Sequence, residues 1–157
     1  MLVAAIRPDS WNVPLFLHVL GALVLTGAMI TVAASLLIAW RAVPDGEPAA
    51  LLRRLAFRTL LLAAIPAYVV MRVGAQWISS KEGLDDANFT WIGIGYMVAD
   101  LGAILLIIAT IVAGLAARRD RAAPGRGRTL ASVAGGIGIV LVVADLVAIW
   151  AMAGKPA

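Results

Sequence analysis

Four ionisable side chains stand inside long apolar stretches of the chain: His18, Arg72, Asp100 and Asp145, each on a different stretch. Charge placed in hydrocarbon is costly, so such residues normally face the interior of a helical bundle and mark a site or a specific helix contact. Two carboxylates, a guanidinium and an imidazole together could accept protons or hold a small cation or ligand. Arg72 does not usefully lose its proton, so it requires a carboxylate or a wet pocket. Asp145 matches it best in depth, which predicts an Arg72–Asp145 pair. Asp100 and His18 are then left as a second pair whose protonation can change near neutral pH. Tyr68, Tyr96 and Gln76 fall close enough on their helices to extend a polar network. Tyr96 precedes Asp100 by four residues and shares its helix face.

Depth follows from a helical rise of 1.5 Å per residue. His18 lies about 8 Å inside its span, Arg72 about 9 Å in from Ile78, Asp145 about 8 Å in from Trp150, and Asp100 about 14 Å in from Trp91. With about 15 Å to the midplane, all four fall in one leaflet. Asp100 is the deepest. It is the residue expected to line the interior and to bind, with His18 beside it. A second reading gives the same residues a packing role. A buried Arg–Asp bridge can simply fix helix register, and His18 can be a hydrogen-bonding residue near the headgroups.

The elements that must position these groups are four apolar spans, 13–40, 55–78, 91–117 and 130–153, in a single domain covering 1–157. Each is long enough to cross a core of about 30 Å, which needs about 20 helical residues. Pro66 interrupts the second span and predicts a kink, and Arg53, Arg54 and Arg58 stand at its entrance. The connecting stretches RAVPDGEPAA, SSKEGLDDANFT and RRDRAAPGRGRT are short, polar and rich in turn formers. Small residues recur four apart at Ala131/Gly135, Ser132/Gly136 and Ala134/Gly138, and at Ala109/Ala113 and Thr110/Gly114. This spacing lets helix backbones approach closely.

Composition agrees with a membrane protein. Of 157 residues 62% are hydrophobic and 14% charged, with a mean hydropathy of +0.97; soluble domains are less apolar and carry about 25% charge. The +4 net charge does not indicate nucleic acid, because the arginines cluster beside the spans as topology signals. Arg41, Arg53 and Arg54, then Arg118, Arg119, Arg121, Arg126 and Arg128, mark two loops as cytoplasmic, against only Arg7, Lys81 and Lys155 opposite. Both termini are therefore expected outside. Trp11, Trp77, Trp91 and Trp150 would form the outer interfacial belt and Trp40 the inner contact. Eleven arginines to two lysines, with abundant alanine, is a composition found in GC-rich bacterial genomes, which places the chain in a bacterial plasma membrane. Asn88-Phe89-Thr90 matches a glycosylation sequon, a coincidence in such a source.

The chain has no cysteine and one histidine. Disulfides, thiolate metal sites, iron–sulfur clusters and covalent haem attachment are excluded, as is bis-histidine haem ligation within one chain. His18 with Asp100 and Asp145 is the one available donor set for a divalent metal. Nucleotide-binding and hydrolase motifs are absent, so nothing points to an enzyme.

Leu17-His18-Val19-Leu20-Gly21-Ala22 and the closing Trp150-Ala151-Met152-Ala153-Gly154-Lys155-Pro156 resemble a group of uncharacterised actinobacterial four-helix integral membrane proteins. The first motif is also similar to the opening helix of copper-resistance protein D and of the haem-associated protoporphyrinogen oxidase membrane family. That resemblance implies a histidine-bearing helical bundle linked to copper or haem through His18. From the residues, the expectation is an all-α four-span bundle with a polar site in its outer half formed by Asp100, His18, Arg72, Asp145 and Tyr96. The rival expectations are an accessory subunit of a membrane complex or homo-oligomer, and a redox protein using His18.

Overall fold

The computed structural model describes residues 9–41, 46–83 and 89–154. Arg7, Asn88, Lys155 and Pro156, and with them the sequon and the end of the closing motif, lie outside the described residues. After a short 3-10 turn at Asp9–Trp11 come α1 (Asn12–Arg41), α2 (Glu47–Thr59), a π-helical turn (Leu60–Ala64), α3 (Ile65–Glu82), α4 (Thr90–Ala122) and α5 (Arg128–Gly154). α2, the π turn and α3 run on as one helix, so four helices are long and apolar enough to cross a membrane. The bundle is all-α among the described residues. No strand occurs in them.

Successive helices alternate in direction. One end therefore carries Trp11, Trp77, Trp91 and Trp150, and the other carries the arginine-rich turns and Trp40. These are called the tryptophan end and the arginine end below.

α1, α4 and α5 depart from the expected spans mainly by extra polar turns. The second span differs more, beginning at Glu47 instead of residue 55. Its first turns are too polar to read as membrane-spanning, yet Pro48 suits a first helical turn. Glu47 pairs with Arg54 along the helix. Arg53 thus stands within the helix and is buried, not at an entrance.

Where Pro66 predicts a kink, the helix carries a π turn just before it. A proline lacks the N–H for residue 62 and its ring crowds that carbonyl. The wider i→i+5 turn just before it absorbs the disruption.

The core is built from small residues. Ala56, Ala64, Ala67, Ala109, Ala113, Ala116, Ala131 and Ala134 pack around Leu25, Met29, Val32 and Leu36 of α1. In lipid no hydrophobic drive separates helix from solvent, so close van der Waals packing over small side chains must hold the bundle. The small-residue spacing of α5 serves this purpose: Gly135 lies against Leu36, and Gly138 against Val32 and Ala33. Large apolar side chains such as Phe16, Leu62, Leu101 and Val143 point outward, toward the bilayer.

α1 is the hub. It packs along the whole second span and along α5, while α4 packs along α5 and against α2. α3 and α4 meet at only a few places. Beyond the π turn the second span follows α1 and leaves α4. Two glycines permit this. A β-carbon at Gly21 would collide with the Met71 backbone, and one at Gly74 with the His18 backbone. The seam between α3 and α4, in the tryptophan half, is the loosest in the bundle.

Candidate functional site

Polar side chains bridge that loose seam. Tyr68, Arg72, Gln76 and Ser79 recur at helical spacing on α3 and meet α4 in turn. The Tyr68 hydroxyl donates to the Ala99 carbonyl at 3.2 Å. Arg72 Nη2 donates to Asp100 Oδ1 at 2.7 Å, and its guanidinium stacks 5.0 Å over the Tyr96 ring. The Tyr96 hydroxyl reaches Gln76 Oε1 at 3.2 Å and Ser79 Oγ at 3.4 Å. Gln76 and Tyr96 therefore do join a network with Arg72, while Tyr68 bonds the α4 backbone beside it.

The pairing differs from the sequence expectation. Arg72 takes Asp100, not Asp145. Equal depth was the basis for choosing Asp145, but partner choice depends on which helix faces which. Asp145 on α5 looks toward α1, whereas α3 has only α4 on its polar side. Asp100 also departs from its expected place in the interior: its side chain is 63% exposed, on the flank of the bundle, against 25% for Arg72. The deeper, buried face of α4 belongs to Leu106, Ala109 and Ala113.

His18 does not pair with Asp100 either. Its Nδ1 donates to the Met71 carbonyl at 3.1 Å, one residue before Arg72. The bond forms where Gly74 lets α1 lie against α3. His18 thus ties the neighbouring helix to the backbone that carries Arg72.

Asp145 stands apart. Thr26 of α1 is its hydrogen-bonding neighbour. Its Oδ2 is enclosed and has no hydrogen-bond partner. No cation pairs with it among the described residues. Thr26 lies about 12 Å of helical rise beyond His18 along α1, so this carboxylate sits close to the middle of the bundle. The four intramembrane residues therefore form two separate features: an ion-paired seam at α3–α4 and a lone carboxylate at α1–α5. No group of three His, Cys, Asp or Glu side chains gathers at metal-binding distance among the described residues, so His18, Asp100 and Asp145 do not form one donor set.

The chain holds another Arg–Asp pair that the sequence reading missed. At the arginine end, Arg53 Nη1 lies 3.3 Å from both carboxylate oxygens of Asp120. The two side chains are 1% and 0% exposed. Asp120 Oδ1 also accepts the backbone N–H groups of Gly125 at 3.1 Å and Gly127 at 2.9 Å. One carboxylate thus fastens α2 to α4 and folds the α4–α5 turn. Gly125 supplies the positive φ of 93° which that turn demands. The available signal was Asp120 itself, the one acid in RRDRAAPGRGRT.

Compared with protein-family models, curated proteins and solved structures, the chain matches none.

Proposed function

We propose that this is a non-enzymatic, multi-pass membrane protein whose working group is Asp145, which accepts a proton or a small cation. The observation that carries this reading is the enclosed, unpartnered Oδ2 of Asp145. An intramembrane carboxylate without a countercharge draws a proton or cation to itself, and the Thr26 hydroxyl is placed to help hold it. Asp100 is already neutralised by Arg72, so the binding role expected for it passes to Asp145.

Proton uptake and isothermal titration with sodium, potassium and magnesium salts test the reading. Asp145→Asn should abolish proton or cation uptake and leave the bundle folded, while Asp100→Asn should leave uptake in place. Uptake that survives Asp145→Asn, or none in the unaltered protein, would overturn it.

Asp100 itself favours a second reading, that of a subunit in a membrane complex. A charged pair this exposed at membrane depth gains from a polar partner on the α3–α4 flank. Cysteine placed at Met97, an exposed neighbour on that flank, should then cross-link to a partner or a second copy in native membranes.

Sidedness follows the arginines. With both termini outside a plasma membrane, a cysteine at Lys81 should react with an impermeant thiol reagent in intact cells and one at Arg126 should not. The opposite labelling would reverse the orientation.

A further inference from the structure

At the arginine end, on the side of the bundle away from the α3–α4 seam, α1 and α5 enclose an open groove of about 240 Å³. Ala33, Leu36 and Leu37 form one wall, Gly135, Gly136 and Ile139 the other. Trp40, Arg41 and Ser132 stand at its mouth. We propose that this groove binds one anionic phospholipid, its acyl chain along the α1–α5 trough and its phosphate at Arg41.

Three observations support that occupant. First, the trough is apolar and runs from Arg41 to Ala33 along α1, about 12 Å of rise, most of the ~15 Å depth of one leaflet. Second, among the described residues that line the groove Arg41 is the charged one, and its charge is positive. Arg41 stacks 5.0 Å over the Trp40 ring, which holds the guanidinium at headgroup level. Among the described residues no acidic side chain lines the groove. Charge complementarity therefore selects an anionic headgroup over a zwitterionic one. Third, Gly136 lines the wall without a packing reason among the described residues. A β-carbon there would meet nothing within 4 Å, unlike Gly135 and Gly138 on the α1 side. Helical glycine is unfavourable relative to alanine, and an acyl chain lying on the bare backbone offsets that cost by contact.

Tryptophan quenching provides the test. The protein is reconstituted in phosphatidylcholine vesicles that contain a minor fraction of phosphatidylglycerol, with bromine on the acyl chains of one lipid or the other. The Trp40 signal is taken as the difference from a Trp40→Phe variant. Brominated phosphatidylglycerol should quench Trp40 with roughly a fivefold preference over brominated phosphatidylcholine, the factor one basic residue contributes at an anionic lipid surface. Arg41→Gln should remove the preference and leave quenching by both lipids. Gly136→Leu projects into the trough, where a β-carbon meets nothing within 4 Å, and should abolish the preferential quenching, with a detergent-unfolding curve unchanged or shifted slightly toward higher stability. Equal quenching by both lipids in the unaltered protein would overturn the proposal. So would a preference that survives Gly136→Leu, or a disulfide-linked dimer through Gly136→Cys with Trp40 shielded from both lipids.

Discussion

Two Arg–Asp pairs join the second span to α4, one at each end of the bundle, and they are built differently. Arg53–Asp120 is enclosed, and two backbone amides share the carboxylate. Arg72–Asp100 is shorter, at 2.7 Å, yet lies on an exposed flank, and no backbone amide is bound to its carboxylate. The arginine end joins helices that already pack over small side chains, so its pair is locked in by its surroundings. The tryptophan end joins helices that barely touch, and there the polar groups are most of the contact. Bond length is a poor guide to which pair matters for folding. What counts is what would be left behind if one partner were lost.

The comparison is broken most directly at Asp120. Asp120→Ala strands a buried guanidinium and two turn amides, and should cost about 3–5 kcal/mol in a reversible detergent-unfolding titration. Asp120→Asn keeps an acceptor for the amides and should cost less. A loss below about 1 kcal/mol for Asp120→Ala would mean that the pair does not hold the arginine end together.

The next effect is steric. Gly74→Ala drives a methyl group into the His18 backbone and should cost about 1–3 kcal/mol. It should also disturb Arg72–Asp100 while sparing Arg53–Asp120. Gly27→Ala, where a β-carbon meets nothing within 4 Å, is the control and should be neutral or slightly stabilising.

Smaller still is Asp100→Asn. With its carboxylate exposed, its removal should cost on the order of 0–1 kcal/mol in detergent. A double-mutant cycle of Asp100→Asn with Arg72→Gln should nonetheless give a coupling energy distinct from zero. The cycle of Asp145→Asn with Arg72→Gln should give none, and Asp145→Asn alone should leave the bundle at least as stable, because it removes an enclosed, unpartnered charge. Coupling between Arg72 and Asp145 would restore the pairing that depth alone suggested.

The sequence revealed the spans because bilayer length and apolar composition are one-dimensional properties. Gln76 and Tyr96 fell into the polar network through helical spacing alone. The shallow depth expected for Asp145 did not carry over, since its neighbour Thr26 stands mid-way along α1. Azimuth was not legible. Whether Arg72 turns toward α4 or α5 depends on how four helices are arranged in cross-section, and spacing within one helix is silent on that. Asp120 was hidden for another reason: amid five arginines, proline and glycine it reads as a solvated turn. Its role appears only when Arg53, on a helix that starts two turns earlier than hydropathy suggests, comes to meet it. Pro66 announced a distortion but not its form.

The form of that distortion reaches beyond the helix that contains it. An i→i+5 turn accommodates one residue more than an i→i+4 turn, and each residue of an α-helix advances the chain by about 100°. The π turn at Leu60–Ala64 therefore sets the angular phase between the two halves of the second span, like a single extra tooth in a gear. Remove one residue there and the extra phase of the wider turn is lost, with Arg53 still facing Asp120. Tyr68, Arg72 and Gln76 would all swing by about 100° away from α4. In a homologue one residue shorter at this point, the outward charges of α3 and α4 should have been lost or replaced together, while Arg53 and Asp120 persist.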